Sequence, residues 1–409
     1  MPMIDGSRLL GDLRRLAEFG RYKTGVHRPA FSDEDLAARR WLARRMAEAG
    51  LDADIDGIGN VIGRAPGNGP RLLVGSHADT QPHGGWLDGA MGVVYGIELA
   101  RAFRDDPRCR DIDIGVDVAA WQDEEAHYAS FLGSRSFAGF LEEAEIDCAQ
   151  HRDDGTPLRE ALARAGLAGT PRAMLDPSRY RGYLEAHIEQ GAVLETERRR
   201  IGVVTAIVGI VVYRVTFVGA QNHAGTTPMR LRRDAGVALT AFCNEAHRAF
   251  ATRAGPSTVW TIGRIVLEPN APSIVPGRAE LLLQIRDPSL AVMEALGAEA
   301  IRLAAVADEA GPCRVEIVRT SLTEPIAMHA PFQDAIATAA ARHVGEGWMR
   351  MHSGAGHDAQ ILARRMPAGM LFVPSIGGVS HHYTEDTAVD DIVLGCQVFA
   401  DAAEVILEL

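Results

Sequence analysis

Between residues 210 and 325 the chain changes texture, and this change limits its possible folds more than any other feature. IVVYRVTFVGA reads as a strand, LRRDAGVALTAFCNEAHRAFATR as a helix, STVWTIGRIVLEP and AELLLQIRD as two strands, SLAVMEALGAEAIRLAAVADEAG as a helix ending at Gly311, and CRVEIVRT as a last strand. The order β-α-β-β-α-β is that of the split ferredoxin-like unit. On either side strands alternate with helices: RLLVGS (71–76), a helix over 89–104 and IDIGVDVAAW (112–121) before it, then a helix near 332–344, the strand GMLFVPS and a final helix from Asp390. Ser32 with Asp35 forms a capping box for an earlier helix that Gly50 closes. With 409 residues, 47% of them apolar, the chain is too long for one core. The expected class is α/β: a discontinuous catalytic domain (residues 1–209 and 326–409) with a mixed sheet flanked by helices, and an inserted ferredoxin-like domain (210–325).

A formal net charge of -12 with no basic stripe argues against a nucleic-acid partner, and an anionic substrate would need local cationic help. No apolar run approaches the roughly 20 residues of a membrane helix, and the opening MPMIDGSRLLGDLRRL has no signal-peptide core. Cys109, Cys148, Cys243, Cys313 and Cys396 are scattered and form no CxxC pair, so a cytoplasmic protein without a thiolate metal site is expected.

Histidines and acids fall at predicted strand ends. His77 and Asp79 follow RLLVG, where the imidazole can take a metal while the carboxylate fixes its tautomer; a surface loop also explains the pair. Asp88 sits among glycines that permit close approach to an ion, yet taken singly it reads better as a helix N-cap. Asp123, Glu124 and Glu125 follow the strand ending at Trp121. Adjacent glutamates are usually solvated, but here one can ligate while the other takes a proton from water. His187 lies in YLEAHIEQG beside Glu185, Glu189 and Gln190, where a satisfied half-buried histidine competes with a ligand. His381 and His382 follow a Gly-Gly turn after LFVPS, either as ligands or as an exposed pair. As a set, these nitrogen and oxygen donors suit zinc, manganese, cobalt or nickel, two of which can share a carboxylate.

The joint pattern resembles the hydantoinase/carbamoylase amidases, within the aminoacylase and carboxypeptidase clan of dinuclear metallohydrolases. GSHADTQPHGGWLDGAMGV, QDEEAHYASFLGSRSFAG, YLEAHIEQGAVLE, GAQNHAGTTPMRLRRDA, SIVPG, QIRD, SGAGHDAQ and PSIGGVSHHYTEDT agree with that family in order and approximate spacing from about residue 8 onward. The resemblance implies two divalent ions per subunit, one on His77 and His187, the other on Glu125 and His381, with Asp88 bridging. Asp79 would orient His77, and Glu124 would be the general base. The inserted domain would serve as lid and dimerisation unit, its His223 reaching the partner subunit's site in a homodimer and polarising the scissile carbonyl. Arg286 would grip the substrate carboxylate bidentately, joined by backbone N–H groups of Gly354, Ala355 and Gly356, while Gln190 would touch substrate near the metals. Three positions depart from the family. Ser273 stands where asparagine is frequent, with Asn270 as a nearby substitute. Ala126 and His127 follow Glu125, and His127 is expected to face solvent rather than the pocket. HHYTEDT replaces the commoner Ser-His-x-Pro-x-Glu, with His381 rather than His382 in the ligand position.

The expected reaction is hydrolysis of the C–N bond of an N-carbamoyl (ureido) amino acid or related ureido acid, releasing amine, ammonia and carbon dioxide. An aminoacylase or dipeptidase is the runner-up, since the metal residues alone do not separate them. A binding protein without catalysis ranks low because every expected ligand and Glu124 are present. A serine or cysteine hydrolase ranks lower still, with no GxSxG elbow and no cysteine beside a motif histidine. The sequence leaves open whether an N-carbamoyl-L-α-amino acid, a β-ureido acid or allantoate is the substrate.

Overall fold

A computed structural model describes residues 2–408, apart from the side chain of Arg110; Met1 and Leu409, at the ends of the expected catalytic domain, lie outside the described residues. The chain divides into Met1–Thr205 with Met328–Leu409, and Ala206–Ala327, against an expected insert of 210–325.

The first unit is built on a mixed sheet. Four parallel strands form its centre, in the order Ala368–Val373, Tyr180–Ile188, Arg71–His77, Gly115–Trp121. Antiparallel neighbours extend it, Ile201–Ile207 beside the first and Val61–Arg64 then Asp52–Ile55 beyond the last. Three of the central strands are buried at every residue, as parallel strands covered on both faces must be. The helices Ala90–Asp105 and Val389–Glu408 pack on them and share one apolar core, with Val74, Val118, Leu184, Leu371 and Phe399 fully buried. Parallel strands all end on the same edge, so His77, Trp121, Ile188 and Val373 deliver their following loops to one place.

The second unit is a four-stranded antiparallel sheet ordered Val259–Glu268, Arg278–Asp287, Gly209–Val218, Arg314–Thr323. Alternate residues of Gly209–Val218 and Arg278–Asp287 are buried, the period-2 signature of a sheet with one covered face. The helices Ala235–Ala251 and Leu290–Ala310 supply the cover through Phe242, Phe250, Leu296 and Ala300. Among the described residues no helix is long and apolar enough to cross a membrane.

Element edges shift for local reasons. The strand expected over 112–121 begins at Gly115 because Asp113 takes a positive φ of 50° and its carboxylate caps Asn68 and Gly69 N–H groups and Arg71. The helix expected from Leu231 begins at Ala235, where Asp234 accepts from Gly236 and Val237. Three short helices, Leu132–Phe137, Glu143–Cys148 and Leu158–Arg164, carry too little periodicity to be read from sequence.

One buried cation organises the edge of the sheet. Arg39, on the helix Asp33–Glu48, pairs with Asp35 at 3.0 Å and donates to the carbonyls of Gly59, Ala120 and Trp121. It thereby anchors the strand end from which Glu124 and Glu125 follow. Arg39→Met should cost about 3–5 kcal/mol, because Asp35 stays behind as a buried unpaired charge; a urea midpoint unchanged from wild type would refute this account.

Candidate metal centre

Each expected ligand leaves the sheet at its carboxyl edge. His77 is the last residue of its strand, His187 the penultimate residue of Tyr180–Ile188, and Glu125 and His381 lie on loops after Trp121 and Val373. Asp88 comes from the turn before the helix Ala90–Asp105, where Gly89 has φ 63°. A Cβ on Gly89 would lie 2.4 Å from the His77 ring, so glycine is required both by conformation and by space.

The carboxylate of Asp88 is the centre of the arrangement. Its Oδ1 is 3.2 Å from His187 Nε2 and 3.7 Å from His77 Nε2, and its Oδ2 is 3.4 Å from His381 Nε2. His381 Nε2 is in turn 3.7 Å from Glu125 Oε1. Two groups result, His77–Asp88–His187 and Asp88–Glu125–His381, with the carboxylate in common. A four-coordinate divalent ion with bonds of about 2.0–2.1 Å holds its donor atoms roughly 3.3 Å apart, so these separations fit a cation in each group. The imidazoles are oriented for it. His77 Nδ1 donates to the Asp79 carbonyl at 3.0 Å and His187 Nδ1 to the Ile188 carbonyl at 2.9 Å, which leaves both Nε2 atoms unprotonated beside Asp88, that of His187 also accepting the Gly89 N–H at 3.1 Å.

Electrostatics give the same demand for positive charge. Burial pushes Glu124 well above the usual carboxylate range, with Glu125 and Asp358 adding to the rise against the pull of His77. Burial and Asp88 raise Glu125. His77 is raised well above its ordinary value although burial opposes it, because Glu124, Asp88 and Asp79 together outweigh the desolvation. Asp88, against its burial, is held well below the usual carboxylate range by His187 and His77, so the acids around it keep their protons for want of further cations.

The structure assigns several residues differently from the sequence reading. Asp79 turns His77 through its backbone carbonyl; its carboxylate lies 3.8 Å from His77 Nδ1 and instead accepts the N–H groups of Glu124 and Glu125. His127, expected at the solvent, is 1% exposed. Asp123, with φ 53°, accepts the N–H groups of His127, Tyr128 and Ala129 and faces the His127 ring at 3.2 Å, which folds that loop inward. The Ala355 N–H, expected to meet substrate, is directed at Ser353 Oγ at 3.2 Å.

Other expectations concern placement alone. Gln190, at φ 58°, donates Nε2 to both oxygens of Asp88 at 3.2 and 3.3 Å and keeps a buried Oε1 with no partner. His382 is exposed and hydrogen-bonds Thr384 Oγ1, outside both donor groups. Within the second unit, His223 pairs with Ile274 beside Ser273, whose carbonyl accepts the Ala224 N–H. Asn270 occupies a turn with φ 60°. Arg286 is half-buried near the end of its strand and donates Nε to Gln284.

Sequence reasoning assigned no role to Glu385. It is 1% exposed, accepts from Leu87 N–H, Asp88 N–H and Ser380 Oγ, and is pushed up to about 8 by burial and by Asp88. It positions the Asp88 turn from below; a Cβ on Gly85 would strike its Oε1. His357, buried against His187 with ring centroids 4.5 Å apart, and Asp358 are also unassigned members of the pocket wall, although both lie in the quoted SGAGHDAQ motif.

The pattern of peptidase family M20/M25/M40 matches residues 73–405. Over nearly its whole length the chain is similar to the N-carbamoyl-L-amino acid amidohydrolase of Geobacillus stearothermophilus, 36% identical with 97% of each chain covered. It is also similar to the allantoate amidohydrolase of Escherichia coli (strain K12), 34% identical with 94% of each covered. Among solved structures, an amidase of the hydantoinase/carbamoylase family from Burkholderia phymatum is 49% identical, covers 99% of this chain and 98% of its own, and superposes with a TM-score of 0.94.

Gly89→Ala should push the His77 ring out of place without unfolding the protein. The expected result is a 10–100-fold loss of divalent-cation affinity, in the range seen when the groups that orient a ligand are lost, with an unchanged circular-dichroism spectrum; wild-type affinity would remove the steric argument.

Proposed function

The chain belongs to peptidase family M20/M25/M40 and, within it, to the hydantoinase/carbamoylase amidases, and from that membership we propose that it hydrolyses the C–N bond of an N-carbamoyl amino acid or related ureido acid. The observation that carries the reading is the pair of donor groups meeting at Asp88 with Glu124 alongside, its Oε2 3.8 Å from His77 Nε2. Relatives named as N-carbamoyl-L-amino acid and allantoate amidohydrolases favour a ureido head over an N-acyl or peptide bond.

His77, His187 and Asp88 would hold one divalent ion, and Asp88, Glu125 and His381 the other, from among zinc, manganese, cobalt and nickel. Such ions supply Lewis acidity and lower the pKa of water to about 7. Glu124 takes the proton of the attacking water and returns it to the leaving nitrogen. Its buried position raises it and makes it a stronger base than a solvated glutamate. Gln190, Gly354 and Gly356 would offer polar contacts to substrate.

His223 serves as oxyanion donor. Its Nδ1 accepts the N–H groups of Gly225 and Thr226 at 2.9 and 3.1 Å, so the proton sits on Nε2, and the exposed ring can present that N–H to a carbonyl oxygen. Arg286 takes the substrate carboxylate, with Asn270 and Ser273 on the same unit as further contacts. A homodimer in which the second unit is the lid and contact surface would let His223 act in the partner subunit. The edge strand Val259–Glu268, with Val259 and Ile265 more than half exposed, supports such pairing. All five cysteines are free, consistent with a cytoplasmic setting.

Glu124→Gln should retain a full complement of metal while turnover falls by about 10²–10⁴. Asp88→Asn should lose metal and activity together. Both are read by metal analysis and by ammonia release from N-carbamoyl-L-amino acids with each of the four cations. Wild-type rates in Glu124→Gln would displace it as the base.

A further inference from the structure

Beside Gln190 the first unit contains a cavity of about 510 Å³, a size within the range of small-molecule sites. Val193, Met349, Met351 and Phe372 form much of its wall, and the backbone of Gly354 and Ala355 borders it as well. Gln190 links it to the metal centre, because the same side chain that borders the cavity is hydrogen-bonded to Asp88. The polar residues around it are largely engaged elsewhere. Glu189 accepts the N–H groups of Val193 and Leu194 at 2.7 and 2.8 Å, and Arg350 donates to Gln333 and Asp334.

We propose that this cavity receives the α-substituent of the substrate, and that the substituent is a flexible apolar side chain of leucine, methionine or phenylalanine size. The proposal rests on the ureido-acid reading above and narrows it. An α-amino acid carries its side chain and its carboxylate on one carbon, and the cavity places apolar side chains and backbone next to one another. A β-ureido acid without a substituent would leave the space to water. The second ureido group of allantoate would enter among thioethers and an aromatic ring, with little besides Gln190 Oε1 and His352 to meet its several N–H groups, which is costly. Two methionines, unbranched and polarizable, give a wall that adapts to several apolar shapes, so breadth among large apolar side chains is expected rather than a preference for one.

The test is a series with a constant head: N-carbamoyl derivatives of glycine, L-alanine, L-leucine, L-methionine, L-phenylalanine and L-aspartate, with β-ureidopropionate and allantoate, assayed on the metal-loaded enzyme. The expected kcat/KM for the leucine, methionine and phenylalanine derivatives exceeds that for glycine by at least about tenfold, the scale set by burying a few methylenes. Val193→Asp, at a position 47% exposed and so tolerant of change, should lower the leucine-to-glycine ratio about tenfold. A ratio measured within one variant does not depend on the fraction folded. Calorimetric titration of Glu124→Gln with the same series should show the leucine preference in binding. If the series is hydrolysed with leucine and glycine within about twofold, or with the aspartate derivative or allantoate preferred, the subsite assignment fails while the ureido reading stands. If none of the compounds releases ammonia with any of the four cations, the ureido reading fails and this assignment with it.

Discussion

A buried aspartate faced by three imidazoles is the constraint around which this protein is arranged. Asp88 is 3% exposed, and a carboxylate so placed is tolerable only if charge and hydrogen bonds surround it closely. The protein meets that need in layers. His187 and His77 approach one oxygen and His381 the other, Gln190 donates to both, and Glu385 secures the turn by accepting the N–H groups of Leu87 and Asp88. Further out, backbone carbonyls fix the two strand-end imidazoles, and the Asp79 carboxylate fixes the Glu124–Glu125 turn. A distortion in any layer reaches the centre, because every one is built from dense packing with little room to adjust.

The parallel sheet makes this convergence possible. Four neighbouring strands end on one edge, so ligands far apart in sequence arrive together without long loops. Arg39 fixes the outermost of these strand ends through the carbonyls of Ala120 and Trp121 and ties in Gly59 by a third, linking the helix Asp33–Glu48 to the loop that carries Glu124 and Glu125.

Much of this was legible in the amino-acid order. The parallel strands announce themselves as short apolar runs, and His77, Asp88, His187 and the Glu124–Glu125 pair stand just after such runs or between glycines. The insert was readable because its strands alternate while the flanking ones do not. What escaped was decided by contacts no local pattern encodes. His127 reads as a surface residue until Asp123 draws three successive N–H groups and the imidazole inward. Asp79 has the right spacing to hold His77 with its side chain, but its own backbone carbonyl reaches the ring better and frees the carboxylate for another turn. Glu385 looked like a spacing landmark, since nothing in its neighbourhood reveals that it packs beneath a loop almost 300 residues away.

The strand order also dictates a schedule for biogenesis. Ala368–Val373 lies between Tyr180–Ile188 and Ile201–Ile207, so a late segment of the chain fills a slot among early ones. During synthesis the sheet waits with a missing plank, its apolar flanks unsealed, while the inserted unit, complete in its own sheet and helices, is free to settle first. The second histidine cluster partner, His381, emerges later still. The nascent protein therefore completes its second donor group only once His381 has emerged, and interruption before that point leaves a chain with exposed sheet edges and an incomplete set of donors.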